Sequence, residues 1–369
     1  MANQSELSKH FAGKTVLITG HTGFKGTWLT AWLLELGAKV VGFSNDVSTS
    51  PSHFDAAGFK SRIAHHVADI RDQESVKKVM LECQPDFVFH LAAQSLVRLS
   101  YAEPVATFQT NAMGTVHILD SLRLIDKPCT AVMVTSDKCY DNVEWTWGYR
   151  ETDRLGGRDP YSASKGAAEL VIRAYVESYF RRDSNVRIGV GRAGNVIGGG
   201  DWAVDRVVPD CVRAWTLSQS AIARNPGATR PWQHVLEPLS GYLALACALV
   251  NSPELHGEAF NFGPRAEQDH TVAELLDRLV GHWPGAVWQD GRQNVDVHRE
   301  AGLLKLNCDK AMHCLMWRPT LDFDETARFT AEWYRTFYDC PGASVSKLTQ
   351  NQIGFYVGRA KSRDLAWAQ

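Results

Sequence analysis

Three side chains that can exchange protons or form hydrogen bonds follow one short apolar run. Residues 132–134 read Val-Met-Val, which is typical of a buried strand, and Ser136, Asp137 and Lys138 come shortly after it. In an open parallel sheet, ligands bind outside the carboxyl ends of the strands. These three side chains are therefore predicted to be catalytic residues at such a strand end.

A phenol and an amine form a second candidate pair. Tyr161 and Lys165 are four residues apart, so on a helix they lie on the same face. A nearby ammonium favours the phenolate, and the pKa of Tyr161 is expected to fall below its unperturbed value of about 10. The pair would then supply a base for a sugar or alcohol hydroxyl, provided that the fold brings it close to Asp137.

The elements that would position these residues begin with a glycine-rich turn. A β-branched strand at 14–19 is followed by three glycines, an apolar helical pattern and a second strand at 39–43. This order predicts a dinucleotide site, because glycines let the backbone approach a pyrophosphate at the helix amino terminus. A tight turn without a ligand is the alternative. The residues predicted to contact the cofactor here are Gly20, Gly23, Phe24, Lys25 and Gly26.

Further cofactor contacts are predicted where the next strands end. A strand at 63–67 leads to residues that could meet an adenine edge, and a strand at 86–91 leads to small residues that let a cofactor cross the sheet edge. Simple helix packing is the alternative for the small residues. A long helix is predicted at 104–125, and it contains an Asn, which has a low helix propensity. This Asn either bonds water or a backbone carbonyl near the site, or it lies at the surface. These residues are Asp69, Ile70, Leu91, Ala92, Ala93 and Asn111.

Strands and helices alternate as far as residue 190, which predicts a Rossmann-like, doubly wound parallel α/β fold. We expect a dinucleotide-binding domain at 10–191, to which later segments could return. A smaller, discontinuous substrate-binding domain is expected mainly at 192–345. The segment 346–369 shows no strong periodicity, and no role is predicted for it.

The second half of the chain carries arginines, amides and aromatic residues in glycine-rich loops. Such residues suit a nucleoside diphosphate, because guanidinium groups pair with phosphate and flat rings stack on a base. Taken one at a time, each is more often an ordinary surface or core residue than a ligand, and it is their clustering that favours a binding site. The predicted substrate-binding residues are Asn195, Arg206, Arg230, His234 and His298.

Composition excludes several classes of function. The formal net charge of −2 gives no electrostatic reason to expect nucleic acid or an anionic membrane as a partner. The first ten residues contain no signal-peptide apolar core, and no apolar run is long enough to span a bilayer. The eight cysteines lack metal-ligand spacing, so reduced cysteines, no metal site and a cytoplasmic location are expected.

Longer motifs resemble a known family. Residues 20–26 read Gly-His-Thr-Gly-Phe-Lys-Gly, 135–138 Thr-Ser-Asp-Lys, 147–151 Trp-Gly-Tyr-Arg-Glu and 230–235 Arg-Pro-Trp-Gln-His-Val. Together with Tyr161 and Lys165, they resemble the CDP-glucose 4,6-dehydratases, which are extended short-chain dehydrogenases/reductases acting on nucleotide sugars. Related dTDP-glucose dehydratases have Thr-Asp-Glu after the same strand, whereas here an amine replaces the glutamate.

This resemblance implies an oxidation, a dehydration and a reduction within one sugar. Tyr161, helped by Lys165, would deprotonate the C4 hydroxyl while NAD takes the C4 hydride. Asp137 would protonate the departing C6 hydroxyl, Lys138 would remove the C5 proton, and the hydride would return to C6. Alternatively, Lys138 only pairs with Asp137. NAD is favoured because the hydride is borrowed and returned, but Ser-Asn-Asp at 44–46 puts the expected ribose-binding carboxylate late, so NADP stays open.

Other functions compete with this one. A nucleotide-sugar 4-epimerase would need Tyr161 and Lys165 without the Asp-Lys pair, and a dehydratase could act on a different nucleotide sugar. A non-catalytic dinucleotide sensor would not need the tyrosine and lysine, and an alcohol or steroid dehydrogenase would not need the arginine-bearing second half. The resemblance also implies a homodimer or homotetramer assembled through helices at 104–125 and 160–181.

Overall fold

The structure, a computed structural model, describes residues 6–181, 184–265, 267–291 and 302–369. Its strands are β1 (Thr15–Thr19), β2 (Lys39–Ser44), β3 (Ala64–Val67), β4 (Phe87–His90), β5 (Cys129–Val134), β6 (Val186–Ala193), β7 (Val196–Ile197), β8 (Ala221–Ala223), β9 (Thr229–Arg230), β10 (Gln233–His234), β11 (Ala259–Phe262), β12 (His270–Thr271) and β13 (Trp288–Asp290). Seven of them form one parallel sheet in the order β11-β6-β5-β4-β1-β2-β3. The predicted doubly wound α/β fold is confirmed.

The strands of this sheet are apolar on both faces. In β1, Val16 and Ile18 belong to one hydrophobic core while Leu17 belongs to the other, and Val132 and Met133 divide in the same way in β5. A sheet that buries both faces needs helices on both sides, and parallel strands joined by helical crossovers provide them. The predicted strand at 186–190 extends to Ala193, which places three more residues beside the site.

Helices cover both faces of the sheet and link the short strands. They are α1 (Glu6–Phe11), α2 (Phe24–Glu35), α3 (His53–Ala56), α4 (Gln73–Cys83), α5 (Val97–Ala102), α6 (Pro104–Phe108), α7 (Gly114–Leu122), α8 (Pro160–Tyr179), α9 (Val207–Thr216), α10 (Leu236–Asn251), α11 (Val272–Gly281), α12 (Asp309–Cys314), α13 (Phe323–Asp339) and α14 (Val345–Ser362). α10 packs against β5 and β6, so a late segment of the chain completes the layer around the sheet.

The predicted long helix at 104–125 is interrupted by a change of pitch. α6 passes into a π-helical turn, Gln109–Met113, and then into α7, which ends at Leu122. A π-turn adds one residue to a helical turn and rotates the following segment about the axis. The turn directs Asn111 into the protein, where only 2% of its surface is exposed.

The last segment of the chain, for which no role is predicted, forms a helix that completes the core. α14 packs against α2 and α13, and Ile353 and Tyr356 are buried. The helical period is weak in the sequence because the buried face also carries polar residues. Thr349 Oγ1 meets His53 Nε2 at 2.8 Å, and the amide of Gln352 donates to the Phe329 carbonyl oxygen.

Two classes of site are absent from the part of the chain that the structure describes. None of its helices combines the length and the apolar character that a membrane span needs. Among the same residues, no group of three or more His, Cys, Asp and Glu side chains is arranged to hold a metal ion.

A buried carboxylate joins α10 to the end of the chain. Glu237 is 1% exposed and accepts hydrogen bonds from the backbone N–H groups of Thr320 and Leu321 and from the Tyr356 hydroxyl. Burial raises the pKa of Glu237 to about 7, although these hydrogen bonds favour the ionised form.

This raised pKa predicts a pH-dependent stability. From pH 4.5, the ordinary pKa of Glu237, to about 7, the folded state binds more protons than the unfolded chain. Stability relative to the Glu237→Gln variant should therefore fall as pH rises through this window, by on the order of 3 kcal/mol in total. Urea unfolding of both proteins at several pH values measures this difference. A difference that stays constant from pH 4.5 to 7 would contradict the prediction.

Candidate active site

The glycine turn between β1 and α2 brings three backbone segments into close contact. Gly20 has a positive φ of 74°, and a Cβ on it would lie 2.8 Å from the backbone nitrogen of Ala92 at the end of β4. A Cβ on Gly26 would lie 2.1 Å from the carbonyl oxygen of Gly20. Only glycine fits both positions, and the resulting cradle leaves the amino terminus of α2 open toward the sheet edge.

A cavity of about 1830 Å³ runs along the carboxyl ends of the strands. It is lined by all five predicted catalytic residues, by the predicted cofactor residues except Asn111, and by three of the predicted substrate residues. The two groups of reactive side chains, one after β5 and one at the start of α8, therefore meet in one place. The lining residues predicted from sequence are Gly20, Gly23, Phe24, Lys25, Gly26, Asp69, Ile70, Leu91, Ala92, Ala93, Ser136, Asp137, Lys138, Tyr161, Lys165, Asn195, Arg206 and Arg230.

Asn111 supports the cavity wall from behind. Its side-chain oxygen accepts from the backbone N–H of Gln94, and its amide nitrogen donates to the Gln94 carbonyl oxygen and to Ser164 Oγ. These bonds join the loop after β4 to α8, one residue before Lys165. Of the two alternatives for Asn111, bonding a backbone carbonyl is confirmed and a surface position is wrong.

One residue predicted to bind substrate, His234, does not line the cavity. His234 is fully buried, its ring packs edge-on against Trp28 and Phe329, and its Nδ1 accepts from the backbone N–H of Leu236. The prediction that His234 contacts substrate is contradicted, because the parallel pairing of β10 with β7 turns this ring into the core. His298 lies outside the described residues.

Asp137 has the geometry of a general acid. It is 2% exposed, its Oδ1 accepts from Ser136 Oγ at 2.9 Å, and its buried Oδ2 has no hydrogen-bond partner among the described residues. Burial raises the pKa of Asp137, although the charges of Lys138, Lys25 and Arg230 oppose the shift. A carboxyl group with a raised pKa and one uncommitted oxygen can hold a proton and release it to a substrate atom.

The pKa of Tyr161 moves in the direction opposite to the predicted one. Burial raises it to about 12, although the Ser136 hydroxyl and the Arg206 charge oppose the shift. The prediction of a lowered pKa is therefore wrong for this structure, because burial disfavours the phenolate more than its neighbours favour it. The Lys165 ammonium is buried as well, and its pKa falls to about 8.

Lys138 lines the cavity next to Asp137 but does not form an ion pair with it. Within the described ranges, no carboxylate oxygen lies within 4.0 Å of the Lys138 ammonium. Its charge is nevertheless close enough to oppose the rise that burial causes in the pKa of Asp137. The alternative in which Lys138 acts only as a paired counter-ion therefore lacks the expected contact.

Lys25 has a position that its place in the glycine turn does not reveal. Its ammonium lies 5.9 Å from the centre of the Tyr242 ring, and its charge interacts with Asp137. Burial, with Arg206 and Lys165 nearby, lowers the pKa of Lys25 to about 8. The predicted cofactor residue thus also faces the acid–base group.

Sequence reasoning predicted Arg206 but missed the partners that hold it at the rim of the cavity. Arg206 Nη1 pairs with Asp201 Oδ2 at 2.9 Å, and its Nη2 donates to Ser95 Oγ at 3.0 Å. Arg98, in α5, was also missed and forms an ion pair with Asp205 at 3.1 Å. These contacts connect two loops that are far apart in the sequence, and the spacing of the residues gives no signal for them.

The end of the cavity beside β2 and β3 contains hydroxyl and acidic groups. Thr22 Oγ1 lies 2.7 Å from Ser44 Oγ and donates to the Asp46 carbonyl oxygen at 2.6 Å. At the end of β3, the single Nε–H of Arg71 is shared between the two carboxylate oxygens of Asp69, which also pairs with Arg71 Nη2. The guanidinium of Arg71 is thus already in an ion pair with the Asp69 carboxylate.

Comparisons with known proteins agree with this geometry. Residues 17–330 match the family model described as GDP-mannose 4,6 dehydratase. The chain is 47% identical over 358 residues to a CDP-glucose 4,6-dehydratase of Salmonella typhimurium, covering 95% of this chain and 98% of that protein. An epimerase from Methanothermobacter thermautotrophicus has a TM-score of 0.74 at 25% identity, covering 90% of this chain and 95% of its own.

A second solved structure has a dinucleotide in its complex. UDP-glucose 4-epimerase of Thermus thermophilus, in complex with NAD, has a TM-score of 0.72 at 25% identity and covers 87% of this chain and 99% of its own. The match to the family model spans most of the described sheet and both groups of reactive residues. The chain belongs to the GDP-mannose 4,6 dehydratase family of nucleotide-sugar-modifying enzymes.

Proposed function

We propose that the protein is an NAD-dependent CDP-glucose 4,6-dehydratase, a hydro-lyase that converts CDP-D-glucose to CDP-4-keto-6-deoxy-D-glucose. The observation that carries the proposal is the buried, uncommitted Oδ2 of Asp137 beside Lys138, in the same cavity as Tyr161 and Lys165. The 47% identical relative is named for this reaction. Its product would serve deoxysugar biosynthesis of the O-antigen type.

NAD fits the cradle at the sheet edge. Gly20 and Gly26 allow the pyrophosphate to approach the amino terminus of α2, and Leu91, Ala92 and Ala93 leave room across the strand ends. The nicotinamide, when bound, accepts a hydride from the sugar and returns it. These contacts involve the pyrophosphate and the nicotinamide, which NAD and NADP have in common.

The end of the cavity beside β2 and β3, where the adenosine would lie, favours NAD over NADP. A 2′-phosphate needs an uncommitted cation, but Arg71 is paired with Asp69, and Lys25 points toward Asp137 and Tyr242. The carboxylate of Asp46 and the hydroxyl of Ser44 offer acceptors to ribose hydroxyls instead. The late carboxylate in Ser-Asn-Asp is therefore compatible with NAD.

Tyr161, as the phenolate, accepts the proton of the sugar C4 hydroxyl during oxidation. Because its pKa is about 12, the phenolate is a minor species at neutral pH, so the phenol has to give up its own proton to solvent before it can take the C4 proton. Lys165, one helical turn away, stabilises the negative charge that develops on the phenol oxygen. Ser136 can hydrogen-bond the same oxygen.

Asp137 and Lys138 then remove water across C5 and C6. The C4 ketone acidifies the C5 hydrogen, Lys138 takes it as a proton, and Asp137 protonates the C6 hydroxyl as it leaves. The hydride is returned to C6 and a proton to C5, so the net change is the loss of one water. Each acid or base of this kind contributes roughly 10²–10⁴-fold to the rate.

The nucleotide would lie toward the loops of the second half. Asn195, Arg206 and Arg230 line that part of the cavity, and guanidinium groups suit a diphosphate. Arg206 is held by Asp201 and Ser95, so little ordering is needed when the phosphates bind. The choice of cytosine is supported by the relative alone.

A nucleotide-sugar 4-epimerase is the second candidate. It would use Tyr161 and Lys165 but has no use for an acid held at C6. Among the described residues, Asp137 Oδ2 has no hydrogen-bond partner and Lys138 forms no ion pair, and both observations favour the dehydratase.

We also propose that the protein works in the cytoplasm as a homodimer, with a homotetramer as the larger alternative. Its eight cysteines are free, which suits a reducing compartment. α6, the π-turn and α8 expose large apolar side chains, which a second copy would cover: Val105 at 69%, Phe108 at 38%, Met113 at 48% and Leu170 at 57%.

The reaction is tested by incubating the protein with CDP-glucose. With catalytic NAD, a 4-keto-6-deoxy sugar should accumulate without net NADH, and NADP should support a much lower rate. Mass spectrometry of the product and the absorbance of reduced nicotinamide measure both. A C4 epimer, net NADH or no turnover would disprove the dehydratase, and product from UDP-glucose or GDP-mannose alone would assign another substrate.

Substituting Lys138 by Met removes the proposed C5 base and keeps most of the side-chain volume. We expect elimination to slow by roughly 10²–10⁴-fold, and C5 exchange with heavy water to be lost, while C4 oxidation continues. Lys347→Met, at an exposed lysine of α14, is the control. Elimination at a rate near that of the wild type would show that Lys138 is not the base.

Assembly is tested by replacing two exposed apolar residues. The Val105→Lys/Leu170→Lys variant should shift the protein from dimer or tetramer to monomer in light scattering, because buried like charges without a partner oppose association. Val67→Lys, at an exposed valine of the edge strand β3, is the control. A wild type that is monomeric at micromolar concentration would contradict the proposed homodimer.

A further inference from the structure

A buried carboxylate lies one helical turn beyond Lys165. Glu169 is 4% exposed, and its Oε1 accepts from Thr135 Oγ1 and from Arg192 Nε, the latter at 2.8 Å. Its Oε2 accepts from Arg192 Nη2 at 2.8 Å, which completes a two-bond ion pair. Tyr161, Lys165 and Glu169 therefore follow one another along the same face of α8.

The guanidinium of Arg192 extends this contact to the far end of the reactive segment. Its Nη1 donates to Tyr140 Oη at 2.8 Å and to the carbonyl oxygen of Glu151 at 2.9 Å. Tyr140 Oη in turn donates to Asn261 Oδ1 at 2.8 Å. Thr135 comes directly before the segment 136–139, and Tyr140 directly after it. The ion pair thus holds both ends of the segment that carries Asp137 and Lys138.

Stability alone is a weak reason for this arrangement. Removing a carboxylate and a guanidinium from water costs several kcal/mol per ion, and well-packed apolar side chains of similar volume are often as stabilising. Proton transfer, by contrast, depends strongly on position, and a displacement of about 1 Å can cost 10²-fold in rate. The network is placed where such a displacement would separate Asp137 and Lys138 from Tyr161 and Lys165.

We propose that Glu169 and Arg192 are positioning residues, which hold the segment 136–139 in register with the catalytic face of α8. The inference rests on the proposed dehydratase function. Neither residue lines the cavity, so neither touches substrate or cofactor. They act through Thr135 and Tyr140 on the acid–base segment, and through α8 on Lys165.

The charge of Glu169 has a second effect, on Lys165. Burial lowers the pKa of Lys165 to about 8, and Glu169 opposes this shift. The other titratable groups near Lys165 are Tyr161 one turn before it on α8, Cys139 in the segment after β5, Lys25 at the start of α2 and His90 at the end of β4. Glu169 is the largest of the influences that keep Lys165 protonated.

The main test replaces the ion pair by apolar side chains, in the double variant Glu169→Leu/Arg192→Met. We expect a folded protein whose kcat for CDP-glucose falls by about 10²-fold, with KM changed by less than about threefold, because substrate contacts stay in place. The alkaline limb of its pH–rate profile should move to lower pH by on the order of one unit, because Lys165 loses its stabilising charge. Glu237→Gln, at a buried carboxylate remote from the cavity, should leave kcat unchanged.

Two single variants separate geometry from charge. Thr135→Val removes one hydrogen bond of the network and Tyr140→Phe removes two, and both variants keep the ion pair. We expect kcat to fall by roughly tenfold in each while the alkaline limb stays where it is in the wild type. These variants also answer the question if the double variant fails to fold.

The outcomes distinguish the two levels of inference. Wild-type protein that does not turn over CDP-glucose overturns the proposed function and this inference with it. Active wild type, with a folded double variant whose kcat and alkaline limb are unchanged, overturns the inference alone and makes the network purely structural. If the double variant does not fold, unchanged kcat in both Thr135→Val and Tyr140→Phe overturns it as well.

Discussion

The chemistry of this protein depends on how little water reaches the charged groups at one edge of its sheet. Burial raises the pKa of Asp137 and lowers those of Lys25 and Lys165 to about 8, so acids and amines that differ widely in water come much closer in proton affinity. The neighbouring charges limit these changes, since the lysines oppose the rise in the pKa of Asp137. A fold that left these side chains in solvent would keep the residues and lose the function.

Much of the fold was predictable because its signals are local. The strands of the parallel sheet are short apolar runs bounded by turn residues. The first turn needs glycines because there is no room for a Cβ, as the close contact of Gly26 with the Gly20 carbonyl oxygen shows. One rule about strand ends was enough to place Asp137 at the ligand edge of the sheet, whereas its meeting with Tyr161 depended on the tertiary fold. The pairing of Glu169 with Arg192 was not predictable in this way, since each residue alone resembles an ordinary surface charge.

The failures share a physical cause, which is burial of polar groups among apolar ones. His234 seemed a ligand because arginine and tryptophan stand next to it in the sequence, yet strand pairing turns its ring into the core. α14 seemed featureless because Thr349 and Gln352 interrupt its buried face. The pKa of Tyr161 was predicted from one neighbour, whereas desolvation by the whole surrounding cavity decides it.

The π-turn at Gln109–Met113 carries a consequence for how such enzymes diversify. One inserted residue puts the two halves of a helix out of phase, so α6 can present Val105 to the outside while Asn111 reaches inward. Surface and interior then become separately mutable along a single helix. Substitutions at the exposed residues of α6 could therefore change which proteins bind there. They would leave in place the Asn111 side chain, which bonds the loop after β4.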